Sequence, residues 1–207
     1  MNTGPILLVE DIPNILDFLA MTLRLKNYEV ITARNGQEAW EILQQVRPIL
    51  LITDILMPKM DGFALVYRLR RDPHRRDIPV IFLSATYIAP EDQTFAMRLG
   101  ASRFIEKPVD IEEFLLTVAE LIQQGPLTPP EPLEERAFYE GYQQRLQNKL
   151  RQKMQQIART ERILAGLPAE QKPAFEELLR QSLADRAEIE AELQEVAKIL
   201  EQLSQHL

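Results

Sequence analysis

The chain has 207 residues, 45% of them hydrophobic and 27% charged, which allows one large domain or two small ones and excludes wholesale disorder. It contains no cysteine and two histidines, His74 and His206, which excludes disulfides and thiolate zinc sites and argues against a histidine-rich metal centre or a Ser–His triad. Its net charge of −7 argues against general nucleic-acid binding.

Short apolar runs alternate with amphipathic stretches over the first 124 residues. Ile6-Leu7-Leu8-Val9 has strand character, and 14–26 follows as a helix with Ile15, Leu16, Leu19 and Leu23 on one face. A second strand is expected over 28–32, then a helix over 36–46 that turns Ala39, Ile42, Leu43 and Val46 inward. Strands at 49–53, 80–83 and 103–105 alternate with helices at 62–71, 91–99 and 110–123. The unbroken apolar runs at 49–52 and 80–83 suggest strands covered on both faces, as in a parallel sheet. Five βα units imply a doubly wound, five-stranded α/β domain over 1–124, with its site at the carboxyl ends of the strands.

Segment 125–132 holds four prolines, Pro126, Pro129, Pro130 and Pro132. They cannot continue a helix and favour a stiff, extended spacer of roughly 25 Å.

Beyond it, 133–207 carries two long helical patterns, broken at Gly166 and Pro168. In the second, Phe175, Leu179, Ser182, Arg186, Ile189, Leu193, Val196, Leu200, Leu203 and Leu207 step by four and three, a heptad seam with two polar interruptions. Tyr139, Tyr142, Leu146, Leu150, Met154, Ile157 and Leu164 form a looser stripe in the first. The short connection favours an antiparallel coiled-coil hairpin. Residues 145–162 carry a net charge of +5 and 170–207 a net −5, so the two helices attract each other. Leu178, Leu183, Ala187, Ala191 and Ile199 lie off the seam, which points to a homodimeric bundle or a further protein partner.

Chemistry-bearing residues fall at the strand ends. Glu10 and Asp11 follow the first strand, Asp54 ends the third, Ser84 the fourth, and Lys107 follows the fifth. A parallel sheet brings these to one edge. Converging carboxylates call for a cation, and hard oxygen donors suit Mg²⁺. A lysine and a hydroxyl alongside could surround a phosphoryl group.

Residues 5–124 resemble the receiver domain of bacterial two-component response regulators. The resemblance is carried by Leu8-Val9-Glu10-Asp11, Thr53-Asp54-Ile55-Leu56-Met57-Pro58-Lys59-Met60-Asp61-Gly62, Phe82-Leu83-Ser84-Ala85, Leu99-Gly100-Ala101 and Phe104-Ile105-Glu106-Lys107-Pro108. It implies a flavodoxin-like fold and Asp54 as acceptor of a phosphoryl group from a histidine kinase or phosphotransfer protein. It implies Mg²⁺ (or Mn²⁺) held by Asp11, Asp54 and the Leu56 carbonyl, with Glu10 acting through water. Ser84 and Lys107 would contact the phosphoryl oxygens, Ser84 and Phe104 would form the switch pair, and the Lys107-Pro108 bond would be cis.

An apolar Leu56, beside Thr86, could restrict hydrolytic water, so slow dephosphorylation is expected. Asp61-Gly62 suits the turn and cap that open the third helix, His74 lies in a solvated basic loop, and Met57, Met60 and Trp40 suit packing. Any catalysis would be confined to the protein's own phosphorylation and dephosphorylation.

No helix-turn-helix accompanies the hairpin. The alternative output is DNA binding through the basic helix at 145–162. No apolar run approaches the ~20 residues of a membrane span, and Met1-Asn2-Thr3-Gly4-Pro5 lacks the basic start of a signal peptide. A cytoplasmic protein is expected.

Overall fold

The unbroken apolar runs become strands buried along their whole length: β1 (Ile6–Val9), β3 (Leu50–Asp54) and β4 (Val80–Ser84). With β2 (Val30–Ala33) and β5 (Arg103–Glu106) they form one parallel sheet of order β2-β1-β3-β4-β5. The computed structural model describes residues 4–84, 90–126, 128 and 131–205. Ala85, Thr86, Pro129, Pro130, His206 and Leu207 lie outside them.

Five helices cover the sheet: α1 (Pro13–Leu25), α2 (Gly36–Gln45), α3 (Gly62–Arg71), α4 (Pro90–Arg98) and α5 (Ile111–Gln124). Alternate strand residues sort between the two faces. Ile6, Leu8, Leu50, Ile52, Ile81 and Leu83 pack with Leu16, Leu19 and Leu23 of α1 and with Phe114, Val118 and Leu121 of α5. On the opposite face Phe63 of α3 stands 5.2 Å from Phe82 of β4 and 5.1 Å from Phe95 of α4, ring centre to ring centre. The fold is the flavodoxin-like α/β arrangement expected from the sequence.

Strand β2 starts two residues later than the expected 28–32. Asn27 adopts a positive φ of 63° and the Tyr28 amide donates to the Leu23 carbonyl at 3.3 Å. These residues complete the exit turn of α1, so β-branched character at 30–32, rather than Tyr28, marks the strand.

The chain divides into two units, Met1–Leu133 and Glu134–Leu207. The second consists of α6 (Glu135–Gly166) and α7 (Lys172–Gln205), joined through a 3-10 turn at Ala169–Gln171. They run antiparallel, since Tyr142 donates to Glu192 while Lys153 Nζ lies 2.9 Å from Asp185 Oδ2, nearer the connection. Ser182, Ile189 and Val196 are buried at seven-residue spacing, and Phe175, Leu179, Arg186, Leu193, Leu200 and Leu203 are half-buried. Leu178 and Leu183 lie off this seam and are 45% and 37% exposed. No helix among the described residues is long and apolar enough to cross a membrane.

Candidate functional site

Strand order places the site. The connection from β1 runs to β2 on one side and the connection from β3 runs to β4 on the other, so a crevice opens between the carboxyl ends of β1 and β3. Glu10 and Asp11 leave β1 there, and Asp54 ends the adjacent β3. One carboxylate oxygen from each of Glu10, Asp11 and Asp54 lies within 4.8 Å of the others. Glu10 and Asp54 are buried and Asp11 is half-buried.

Lys107 reaches this cluster from the loop after β5. Its Nζ lies 2.6 Å from Glu10 Oε2 and 3.0 Å from Asp54 Oδ1. The Lys107 amide donates to the Ser84 carbonyl at 2.6 Å, which ties the start of this loop to the end of β4, and the Lys107-Pro108 bond is cis. Ser84 is fully buried at the end of β4. Phe104 lies half-buried on β5, in register with Phe82.

The electrostatics follow from this burial. Loss of water raises the Asp54 carboxyl above the ordinary aspartate range, against the opposing charge and hydrogen bond of Lys107. Burial raises Glu10 as well, with Asp54 adding like-charge repulsion. For Lys107, burial lowers the ammonium pKa, but the hydrogen bond to Glu10 and the charges of Asp54 and Glu10 outweigh it, so the net shift is upward. The site therefore holds a permanent cation among carboxylates that are short of compensation. Three hard oxygen donors so close together fit a small divalent ion such as Mg²⁺.

The loop from β3 to α3 wraps the site. Its ends close where the Gly62 amide donates to the Ile55 carbonyl at 3.0 Å. A Cβ at Gly62 would stand 2.2 Å from the Asp54 carbonyl oxygen, so only glycine lets α3 begin this close to the strand end. Asp61 caps α3 by accepting the Ala64 amide at 2.9 Å, the cap expected from the sequence. Leu56 is 37% exposed on this loop.

The structure thus gathers Glu10, Asp11, Asp54 and Lys107, with Ser84 on the adjoining strand end. Arg70 lies in the last turn of α3, beside the basic loop that holds His74. It is 1% exposed, and its guanidinium donates to the carbonyls of Arg76, Ile78 and Gly100 at 3.0, 2.8 and 2.7 Å. Burial lowers it to about 10, which leaves it charged at neutral pH. Its spacing after Phe63 and Val66 on the core face of α3 was the available signal.

A family model for the response regulator receiver domain matches residues 6–119. The chain is 34% identical over 139 residues to the DNA-binding dual master transcriptional regulator RpaA of Synechocystis, a match that covers 59% of this chain and 57% of that protein. It is 31% identical over 140 residues to the response regulator Rre1 of the same organism, covering 67% of this chain and 60% of Rre1. It therefore spans less than two thirds of either relative. Among solved structures, the receiver domain of a histidine kinase from Syntrophus aciditrophicus superimposes with a TM-score of 0.56 at 36% identity, over 64% of this chain and 98% of that one.

Proposed function

The chain belongs to the response regulator receiver domain family, and from that premise we propose that it takes a phosphoryl group onto Asp54 from a histidine kinase or phosphotransfer protein. The observation that carries this reading is the Lys107 ammonium set between Glu10 and Asp54, at 2.6 and 3.0 Å, beside a third carboxylate. An Asp54 carboxylate oxygen would attack phosphorus in line with the departing ring nitrogen of a phosphohistidine. That nitrogen keeps the electron pair of the broken bond. Lys107 would move from the carboxylates onto a phosphoryl oxygen, and Ser84 would donate to another. Glu10, Asp11, Asp54 and the Leu56 carbonyl would hold a Mg²⁺ ion, which supplies charge neutralisation for the transferring group. Phosphorylation adds charge at the ends of β3 and β4, and Phe104 would repack as Ser84 moves. The only chemistry in this proposal is the chain's own phosphorylation and dephosphorylation.

In the same proposal, 1–124 is the phosphoacceptor domain, 125–132 a stiff spacer and 133–207 an output hairpin that dimerises or takes a further protein partner. The prolines interrupt any continuous helix from α5, so the signal would travel by surface contact. DNA binding through 145–162 is the second reading, favoured by the net +5 charge of that segment. It predicts binding that weakens steeply with salt.

The test has two steps. Incubation with a small phosphodonor and Mg²⁺ should add one phosphoryl group at Asp54, read by peptide mass, and no addition would sink the proposal. Light scattering with and without beryllofluoride then reads the assembly. A monomer that becomes a dimer makes the hairpin a switched output. A constant dimer makes it a fixed one.

A further inference from the structure

The β3–α3 loop contains a conformation that it cannot hold alone. Lys59 sits at φ 67°, in the left-handed region, while the Met60 amide donates to the Pro58 carbonyl at 2.8 Å. A three-residue turn around a central residue with positive φ is rare and strained for an L side chain. Such strain persists only where neighbouring structure over-determines it.

The neighbour here is the corner between β2 and α2. The Gly36 amide donates to the Met60 carbonyl at 2.9 Å. A Cβ at Gly36 would stand 2.6 Å from that carbonyl oxygen and 2.8 Å from the Met60 Cγ, so the loop rests directly on the glycine. The corner itself is stiff. Asn35 is 3% exposed and caps α2 by accepting the Glu38 amide at 3.0 Å. Glu38 in return accepts the Arg34 amide at 2.9 Å and the Asn35 side-chain amide at 2.8 Å. Its carboxyl lies below the ordinary glutamate range, first through the Arg34 amide and in smaller part through the Lys59 ammonium. The corner and the loop thus meet through a hydrogen bond and a packing contact.

We propose that Gly36 is a positioning residue for the cation site. Through Met60 it holds the β3–α3 loop in its strained path, and so keeps the Leu56 carbonyl and the Asp54 carboxylate within reach of one ion. This inference rests on the reading of Glu10, Asp11, Asp54 and Leu56 as a Mg²⁺ site. Coupling between binding events is reciprocal. If the brace strengthens Mg²⁺ binding, then Mg²⁺ must protect the brace by the same factor.

Both directions can be measured on the full chain. Gly36→Ala should weaken Mg²⁺ binding by about tenfold in calorimetric titration, the range for residues that orient metal ligands from behind. Gln37→Ala, an exposed neighbour on α2, should leave it unchanged. In the unmodified protein, Mg²⁺ should slow exchange of the Gly36 amide by about the same tenfold factor. The Val46 amide, which closes α2 onto Ile42, should slow far less if the effect is local rather than global stabilisation. The exchange measurement stands even if the alanine variant does not fold. Unchanged Mg²⁺ affinity in Gly36→Ala, or a Gly36 amide indifferent to Mg²⁺, overturns the brace and leaves the cation site intact. Absence of Mg²⁺ binding by the unmodified protein overturns both.

Discussion

Every residue of β1, β3 and β4 is buried, whereas the described buried positions of α7 are Ser182, Ile189 and Val196. The first unit covers its sheet on both faces, so the strand ends deliver carboxylates into a place already short of water. The second unit buries one seam, and Ser182 and the half-buried Arg186 interrupt it. Deep burial perturbs ionisable groups and makes chemistry, while a shallow seam leaves surface free for association. The two units thus differ first in how much of their polar groups they dehydrate.

The largest expected effect tests whether the chemistry belongs to the first unit alone. Asp54→Asn should abolish phosphoryl incorporation, a loss of about 10³-fold or more, because the carboxylate oxygen proposed to attack phosphorus is replaced by an amide. Helix content of α6 and α7, read by circular dichroism, should not change. Incorporation that persists in Asp54→Asn would break the comparison by placing an acceptor elsewhere.

Next comes Lys107→Ala. It removes the cation from between Glu10 and Asp54 and leaves two buried carboxylates facing each other. Removing one partner from such a buried cluster costs about 3 kcal/mol. The loss should appear in urea unfolding with EDTA and be largely recovered with Mg²⁺. Failure of Mg²⁺ to stabilise either protein would mean that the cluster does not bind the ion.

The hairpin should respond to different residues. Ile189→Ala removes a side chain only 3% exposed in the seam and should cost about 2 kcal/mol of hairpin stability. Phosphoryl incorporation at Asp54 should be unchanged. Ser182→Leu should move the other way by about 1 kcal/mol, since a polar seam position lowers stability in exchange for register or oligomer choice. A Ser182→Leu protein that changes its solution mass would show that the serine sets assembly.

Legibility in the sequence divides along the same line. The strands at 6–9, 49–53 and 80–83 were visible because doubly covered strands are continuous apolar runs, and Glu10, Asp11, Asp54, Ser84 and Lys107 were visible because topology assigns strand ends to one edge. The heptad seam of α7 was equally plain. Arg70 was hidden, since a buried arginine held by three carbonyls has the same letters as a solvated basic loop. The Gly36–Met60 contact was hidden for another reason. It joins two loops far apart in sequence, and neither residue type suggests a partner. Roles for the hairpin were not legible, because a single amphipathic seam is compatible with many partners.

The smallest effect bears most directly on burial. The Asp54 carboxyl is raised by loss of water, so the folded chain holds that proton more tightly than the unfolded one. Where the folded state binds more protons, stability falls as pH rises. The group therefore costs nothing well below its ordinary value of 3.8 and its full penalty above the raised folded value. Asparagine does not titrate. In EDTA at pH 7, Asp54→Asn should be more stable than the unmodified protein by on the order of 1 kcal/mol, and the gain should vanish as pH falls through the aspartate range. Mg²⁺ should reverse the order, because an ion that binds only the folded, unmodified site stabilises it by mass action. An Asp54→Asn protein less stable than the original in EDTA at pH 7 would show that Lys107 compensates the carboxylate in full. The strained dehydration of the first unit would then be absent, and the contrast with the hairpin would rest on packing alone.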